Sequence, residues 1–214
     1  MISLIYPALY NGPINYFARL VRDKEIVLEQ FDHYQKQTYR NRCKIVGPNG
    51  VIALSIPVKK LHGVKNLLRD IRIDYDTAWN RNHWRSLVSS YASSPYFEYM
   101  TDELVPFYER KFEFLIDLNK QLMECILELM SLDIPVTCSS SFTKIVKDSD
   151  PRYFIHPKKR EAVEDPDFLP IEYHQVFSDR FGFKPNLSIL DLLFNEGPAA
   201  LGILRQNLRT YSQW

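Results

Sequence analysis

Apolar and polar positions follow one period in the first third of the chain and another beyond it. Ile2 to Tyr6 is a short apolar run closed by Pro7, which predicts a buried strand. Pro13 suits the first turn of a helix running to about Val21, and Ile26, Val27 and Leu28 predict a second strand. Gly47-Pro48-Asn49-Gly50 is turn chemistry. After it Ile52, Leu54, Ile56 and Val58 alternate with Ala53, Ser55 and Pro57, as one arm of a core-facing hairpin would. Ile71, Ile73 and Tyr75 alternate with Arg72 and Asp74 as a further strand. From Thr77, read as a helix cap, the period becomes helical. Trp84, Leu87, Val88 and Tyr91 share one face until Ser93-Ser94-Pro95 interrupts it. A second helix follows from about Tyr96 to Tyr108. A third is carried by Leu115, Leu118, Leu122, Cys125, Ile126 and Leu129. Ile134 to Cys138 reads as a short strand, and Asp148 to Asp167, poor in apolar residues, as a long surface loop. Ser188 with Asp191 three positions on resembles the N-cap of a buried apolar last helix, ended by Gly197-Pro198. This order predicts an α/β fold: one domain over residues 1–214, with a mixed β-sheet that includes an antiparallel hairpin and helices packed on it.

A chain of 214 residues with 45% hydrophobic and 25% charged residues has ordinary globular composition, which excludes disorder, collagen and coiled coil. Cys43, Cys125 and Cys138 are widely spaced and form no CxxC pair, so a reduced cytoplasmic state is expected. The first residues lack a basic region and a long apolar run, and no segment approaches ~18 apolar residues, so neither a signal peptide nor a membrane span is expected.

The net charge is +1, yet no Asp or Glu occurs from His33 to Arg69. That stretch holds Lys36, Arg40, Arg42, Lys44, Lys59, Lys60, Lys65 and Arg69, on a body that is otherwise acidic. Such a segment can gather anions. The near-neutral total and the lack of a nucleic-acid module argue against nucleic acid as the partner.

The five histidines, His33, His62, His83, His156 and His174, lie in five separate segments, so no metal site is expected. No nucleotide loop or nucleophile elbow is present, and no cofactor can be named. Three constellations remain. Lys36, Gln37, Tyr39, Arg40, Asn41 and Arg42 combine guanidinium groups, amides and a phenol suited to a phosphate or carboxylate. Arg81 and His83 fall near a helix start that favours anions, with His83 as the candidate acid–base group. Gln175, Asp191 and Asn195 supply polar groups around the apolar last helix. Asp191 or Asn195 is expected to orient Arg40 or Arg42, because a buried carboxylate needs a partner.

Several of these pieces resemble the WbqC-like family of bacterial proteins. They are residues 34–43 (YQKQTYRNRC), Asn49-Gly50 leading to Ile56-Pro57-Val58-Lys59, Trp79 to Trp84, Ser94-Pro95-Tyr96-Phe97, Tyr173 to Phe177, and residues 187–195 (LSILDLLFN). Relatives carry Ile-His-Gln-Pro-x-Tyr-Leu-Pro at the front; here Tyr6 stands in place of that histidine, so no role of the histidine carries over. The resemblance implies cytoplasmic work in surface-polysaccharide biosynthesis on amino-sugar units. Acyl or aminoacyl transfer is the favoured chemistry and a nucleotide-linked or phosphorylated sugar the anionic ligand. The rival expectation is a non-catalytic ligand-binding or scaffold protein of the same pathway.

Overall fold

Two separate sheets carry the strands in the computed structural model, which describes residues 5–59, 66–144, 150–155 and 165–209. Strands β1 (Ile5–Pro7), β2 (Ile26–Glu29) and β5 (Val136–Cys138) form a parallel sheet in the order β1-β2-β5. Parallel neighbours require a crossover, and helix α1 (Ile14–Leu20) supplies the one between β1 and β2. Strands β3 (Arg42–Gly47) and β4 (Gly50–Ser55) pair antiparallel from Arg42–Ser55 to Gly47–Gly50. Gly50 closes this turn at φ +105°, a backbone region that glycine enters without steric cost. The α/β expectation holds, with parallel strands and an antiparallel hairpin in one fold. Lys60, His62, Lys65 and His156 fall outside the described residues, as do the first three residues of the Ile2–Tyr6 run.

Helices α2 (Trp79–Tyr91), α3 (Phe97–Glu109) and α4 (Leu115–Leu129) pack in sequence, α2 also resting on β3. Helix α4 follows its pattern closely: Leu115, Leu118, Leu122, Cys125 and Ile126 are buried. It ends with Ser131 at φ +57°, whose successor Leu132 donates back to the Leu127 carbonyl over 2.9 Å, closing the last turn. Helix α2 departs from expectation in two ways. It starts at Trp79 after Ala78, with no side-chain cap, so Thr77 does not cap it. Its buried face is Trp79, His83, Leu87, Ser90 and Tyr91, while Val88 is exposed. The hairpin covers a face rotated toward His83, and the helix follows the cover available.

Three further expectations are corrected. Ile71 and Ile73 are buried and Arg72 is exposed, but they follow a 3-10 turn and make only isolated bridges, to Val58 and Phe114, rather than a strand. In the supposed surface loop, Asp150 caps a helical turn α5 (Pro151–Phe154), and Asp150, Arg152 and Ile155 are buried. A short α6 (Ser178–Phe181) precedes α7 (Ile189–Glu196), the helix capped by the Ser188 hydroxyl; α7 is not the last, because α8 (Ala200–Gln206) follows it. A single hydrophobic core runs from Tyr6 to Leu208 through nearly all these elements. No helix among the described residues is long and apolar enough to cross a membrane.

Candidate functional site

The segment between β2 and β3 cannot form a ladder, because its polar side chains offer no apolar face. It is held instead at fixed points. The Tyr10 N–H donates to the Tyr39 carbonyl (2.9 Å). Asn119 of α4, fully buried, donates to the carbonyls of both Ala8 (3.2 Å) and Arg40 (2.8 Å). Arg40 pairs with Asp32 at 2.6 Å. Pinned this way, the segment forms one wall of a groove of about 650 Å³, with the hairpin as its floor and the start of α2 as its other wall.

Lys36, Gln37, Asn41, Arg42 and His83 all line this groove, and among the described residues no Asp or Glu does. The Arg42 Nε–H donates to Ser55 Oγ (2.9 Å), which steadies the side chain, and neither Arg42 nor Lys36 has an ion-pair partner among the described residues. The walls also hold three buried polar atoms without a hydrogen-bond partner: Tyr34 Oη, Asn41 Oδ1 and Trp79 Nε1. The Asn41 amide is oriented by its Nδ2–H, which donates to the Ile56 carbonyl at 2.8 Å, so its acceptor oxygen is the free atom. Buried polar atoms ordinarily find partners, and these three lie just behind the groove surface, where a small shift of the wall would offer them to a ligand. Two cations, one fixed acceptor, one indole donor and one hydroxyl suit an anionic ligand that also carries polar substituents.

His83 is 6% exposed, with Nδ1 2.9 Å from Tyr10 Oη. Burial pushes its pKa down to about 4, and a hydrogen bond to the Ser55 backbone acts the other way. The fold therefore stabilises the neutral ring. That contribution is complete above pH ~6.5, where an unfolded histidine is neutral as well, and is lost as the pH falls toward 4, to a total of about 3 kcal/mol. Urea unfolding of the parent and of His83→Gln at pH 7 and pH 4.5 measures it. The parent should lose more stability over that interval, and parallel pH profiles would overturn the assignment.

The other sequence candidates lie elsewhere. Tyr39 is a core residue, and Arg40 is committed to Asp32. Arg81 lines a neighbouring groove on the other side of α2. Among the described residues Asp191 meets no arginine. It accepts from Tyr91 Oη (2.7 Å), Tyr173 Oη (2.5 Å) and Gln175 Nε2 (2.9 Å), while Asn195 donates to the Asp191 carbonyl (2.7 Å). The expected Asp191–arginine pair is thus replaced by a hub of neutral donors: two phenols and an amide neutralise the need of the carboxylate without a cation. Tyr6 hydrogen-bonds Asp23 and lies outside the groove. Sequence reasoning missed Tyr34 and Trp79 as groove groups. Both stand inside stretches it had marked, and only their lack of partners singles them out. Among the described residues no three His, Cys, Asp or Glu side chains are placed to hold a metal ion.

The model of the WbqC-like protein family matches residues 9–164, a span that contains every residue lining the first groove and, of the Asp191 hub, Tyr91 alone. A Mycobacterium tuberculosis protein, Uncharacterized protein Rv1507c, is 26% identical over 215 residues, covering 89% of this chain and 91% of its own. No solved structure matches the chain.

Proposed function

The chain belongs to the WbqC-like protein family, and from this we propose that its groove binds the phosphate-bearing part of a nucleotide-linked or phosphorylated amino sugar in bacterial surface-polysaccharide biosynthesis. The observation that carries the reading is the acid-free groove itself, with Lys36 and Arg42 unpaired beside the partnerless Asn41 Oδ1 and Trp79 Nε1. Arg42 anchors phosphate with the nitrogens that Ser55 leaves free, and Lys36 adds charge from the loop wall. The sugar's hydroxyl or amide groups meet Asn41, Trp79 and Tyr34. The reaction assigned to the bound sugar is acyl or aminoacyl transfer: the sugar amine forms the new C–N bond, releases a proton, and the acyl carrier departs. The neutral His83 ring is already engaged, by Tyr10 Oη at Nδ1 and by the Ser55 backbone, so it shapes the groove wall rather than donating a proton as an imidazolium.

Thermal shift with glucose 1-phosphate and with a uridine diphosphate sugar tests the binding, because a ligand of the folded state raises Tm. Arg42→Ala should weaken affinity by about 1.5–3 kcal/mol, the range for hydrogen bonds to charged groups. Unchanged affinity in a folded Arg42→Ala protein would sink the anchor. Arg40→Ala should act on stability instead, through Asp32.

A second reading, binding without chemistry, is favoured by one observation. A histidine with a pKa of about 4 lies below the range in which a general base works best at neutral pH. If nucleotide-linked amino sugars bind but no acyl donor yields an amide product, that second reading stands.

A further inference from the structure

A second groove, of about 700 Å³, lies on the opposite side of α2, and Thr77 lines both. Its floor is aromatic: Trp84 lines it, backed by Phe97 (ring centroids 5.8 Å apart, stacked) and Tyr108 (5.4 Å). Three cations converge on it. Arg81 and Arg85 are one helical turn apart on α2, and Lys111 sits with its Nζ 5.3 Å from the Tyr75 ring centroid. Like charges at i and i+4 repel. An isolated helix would relieve this with carboxylates at neighbouring positions, yet none of the three cations forms an ion pair among the described residues. Asp76 and Glu109 also line the groove and are likewise unpaired, so acids and bases are present together but held apart.

We infer that this second groove binds a nucleotide: phosphates on Arg81, Arg85 and Lys111, sugar hydroxyls donating to Asp76 or Glu109, and the base against Trp84. The aromatic floor favours a planar ring and the two unpaired guanidinium groups a polyphosphate, and this groove carries both features together. With the first groove read as the sugar site, the second would serve the activated co-substrate. Binding itself does not depend on that reading.

Isothermal titration of the intact chain with adenosine diphosphate and with inorganic pyrophosphate tests the site. Adenosine diphosphate should bind saturably and at least tenfold more tightly than pyrophosphate. Arg81→Ala combined with Arg85→Ala, both exposed positions, should weaken it at least tenfold with an unchanged Tm of the free protein, while Arg42→Ala leaves it unchanged. Absence of binding, equal affinity for pyrophosphate, or a loss that follows Arg42 rather than Arg81 and Arg85 overturns the inference. Glucose 1-phosphate, titrated in parallel against Arg42→Ala, reports on the first groove alone, so failure of either groove is seen separately.

Discussion

Replacing Arg152 with alanine should cost about 3–5 kcal/mol of folding stability, the range for breaking one partner out of a buried ion pair. The Arg152 side chain is 1% exposed and lies between two buried carboxylates, Asp150 (2.6 Å) and Glu29 (3.3 Å). Its Nη1–H also donates to the Thr143 carbonyl (2.9 Å). Glu29 ends β2 and is held further by the Ser139 hydroxyl (2.7 Å) and by the Phe31 and Thr143 N–H groups (both 2.9 Å). The cluster ties the ends of β2 and β5 to α5. Removing the cation leaves two carboxylates without charge compensation in a site closed to water. Domains of this kind have total stabilities of about 5–15 kcal/mol, so the loss is a large share. Urea unfolding at pH 7 should show a lower midpoint at unchanged slope. A variant within about 0.5 kcal/mol of the parent would mean that Glu29 and Asp150 are solvated or protonated instead.

Asp191→Ala should cost about 2–4 kcal/mol, because it strands two hydroxyl donors at once, those of Tyr91 and Tyr173, while the Gln175 amide keeps the Lys184 carbonyl as an acceptor. Burial pushes the Asp191 pKa up, and the three hydrogen bonds pull it back. Asp191→Asn keeps one acceptor oxygen and should lose less. Both variants, studied below their melting temperatures, should bind glucose 1-phosphate with parental affinity, because none of these residues lines the first groove. An affinity loss in a folded Asp191→Asn protein would couple the hub to the ligand site.

The contrast between these two clusters marks what the residues disclosed in advance. Helix α4 was legible because its apolar side chains recur at helical spacing over four turns, and the hairpin because Pro48-Asn49-Gly50 fixes its turn. Helix α2 was placed, but its buried face was not, since the choice between Val88 and Ser90 depends on what covers the helix. The basic stretch was visible as charge. Its internal division was not: Asp32, one residue before the stretch begins, takes Arg40 out of the site and leaves Arg42 in it. The Glu29–Arg152 pairing joins residues 123 apart and leaves no local trace. The need of Asp191 for partners was readable from its apolar helix, whereas their identity was not, because tyrosines 100 and 18 positions away serve as well as an arginine.

The parallel sheet sets a schedule for the chain's own synthesis. Strand β2 pairs on one side with β1, about twenty residues back, and on the other with β5, with Ile26 opposite Val136. The Ile14 N–H is bonded only when the Leu187 carbonyl arrives. A ribosome therefore releases most of this protein before its first helix can take its final place. Strand β2 spends that interval with its β5-facing edge unpaired, open to other chains. Loop-closure entropy over more than a hundred residues makes the step slow, and the order of emergence, hairpin and α2–α4 before β5 and α7, leaves the amino-terminal segment to dock last.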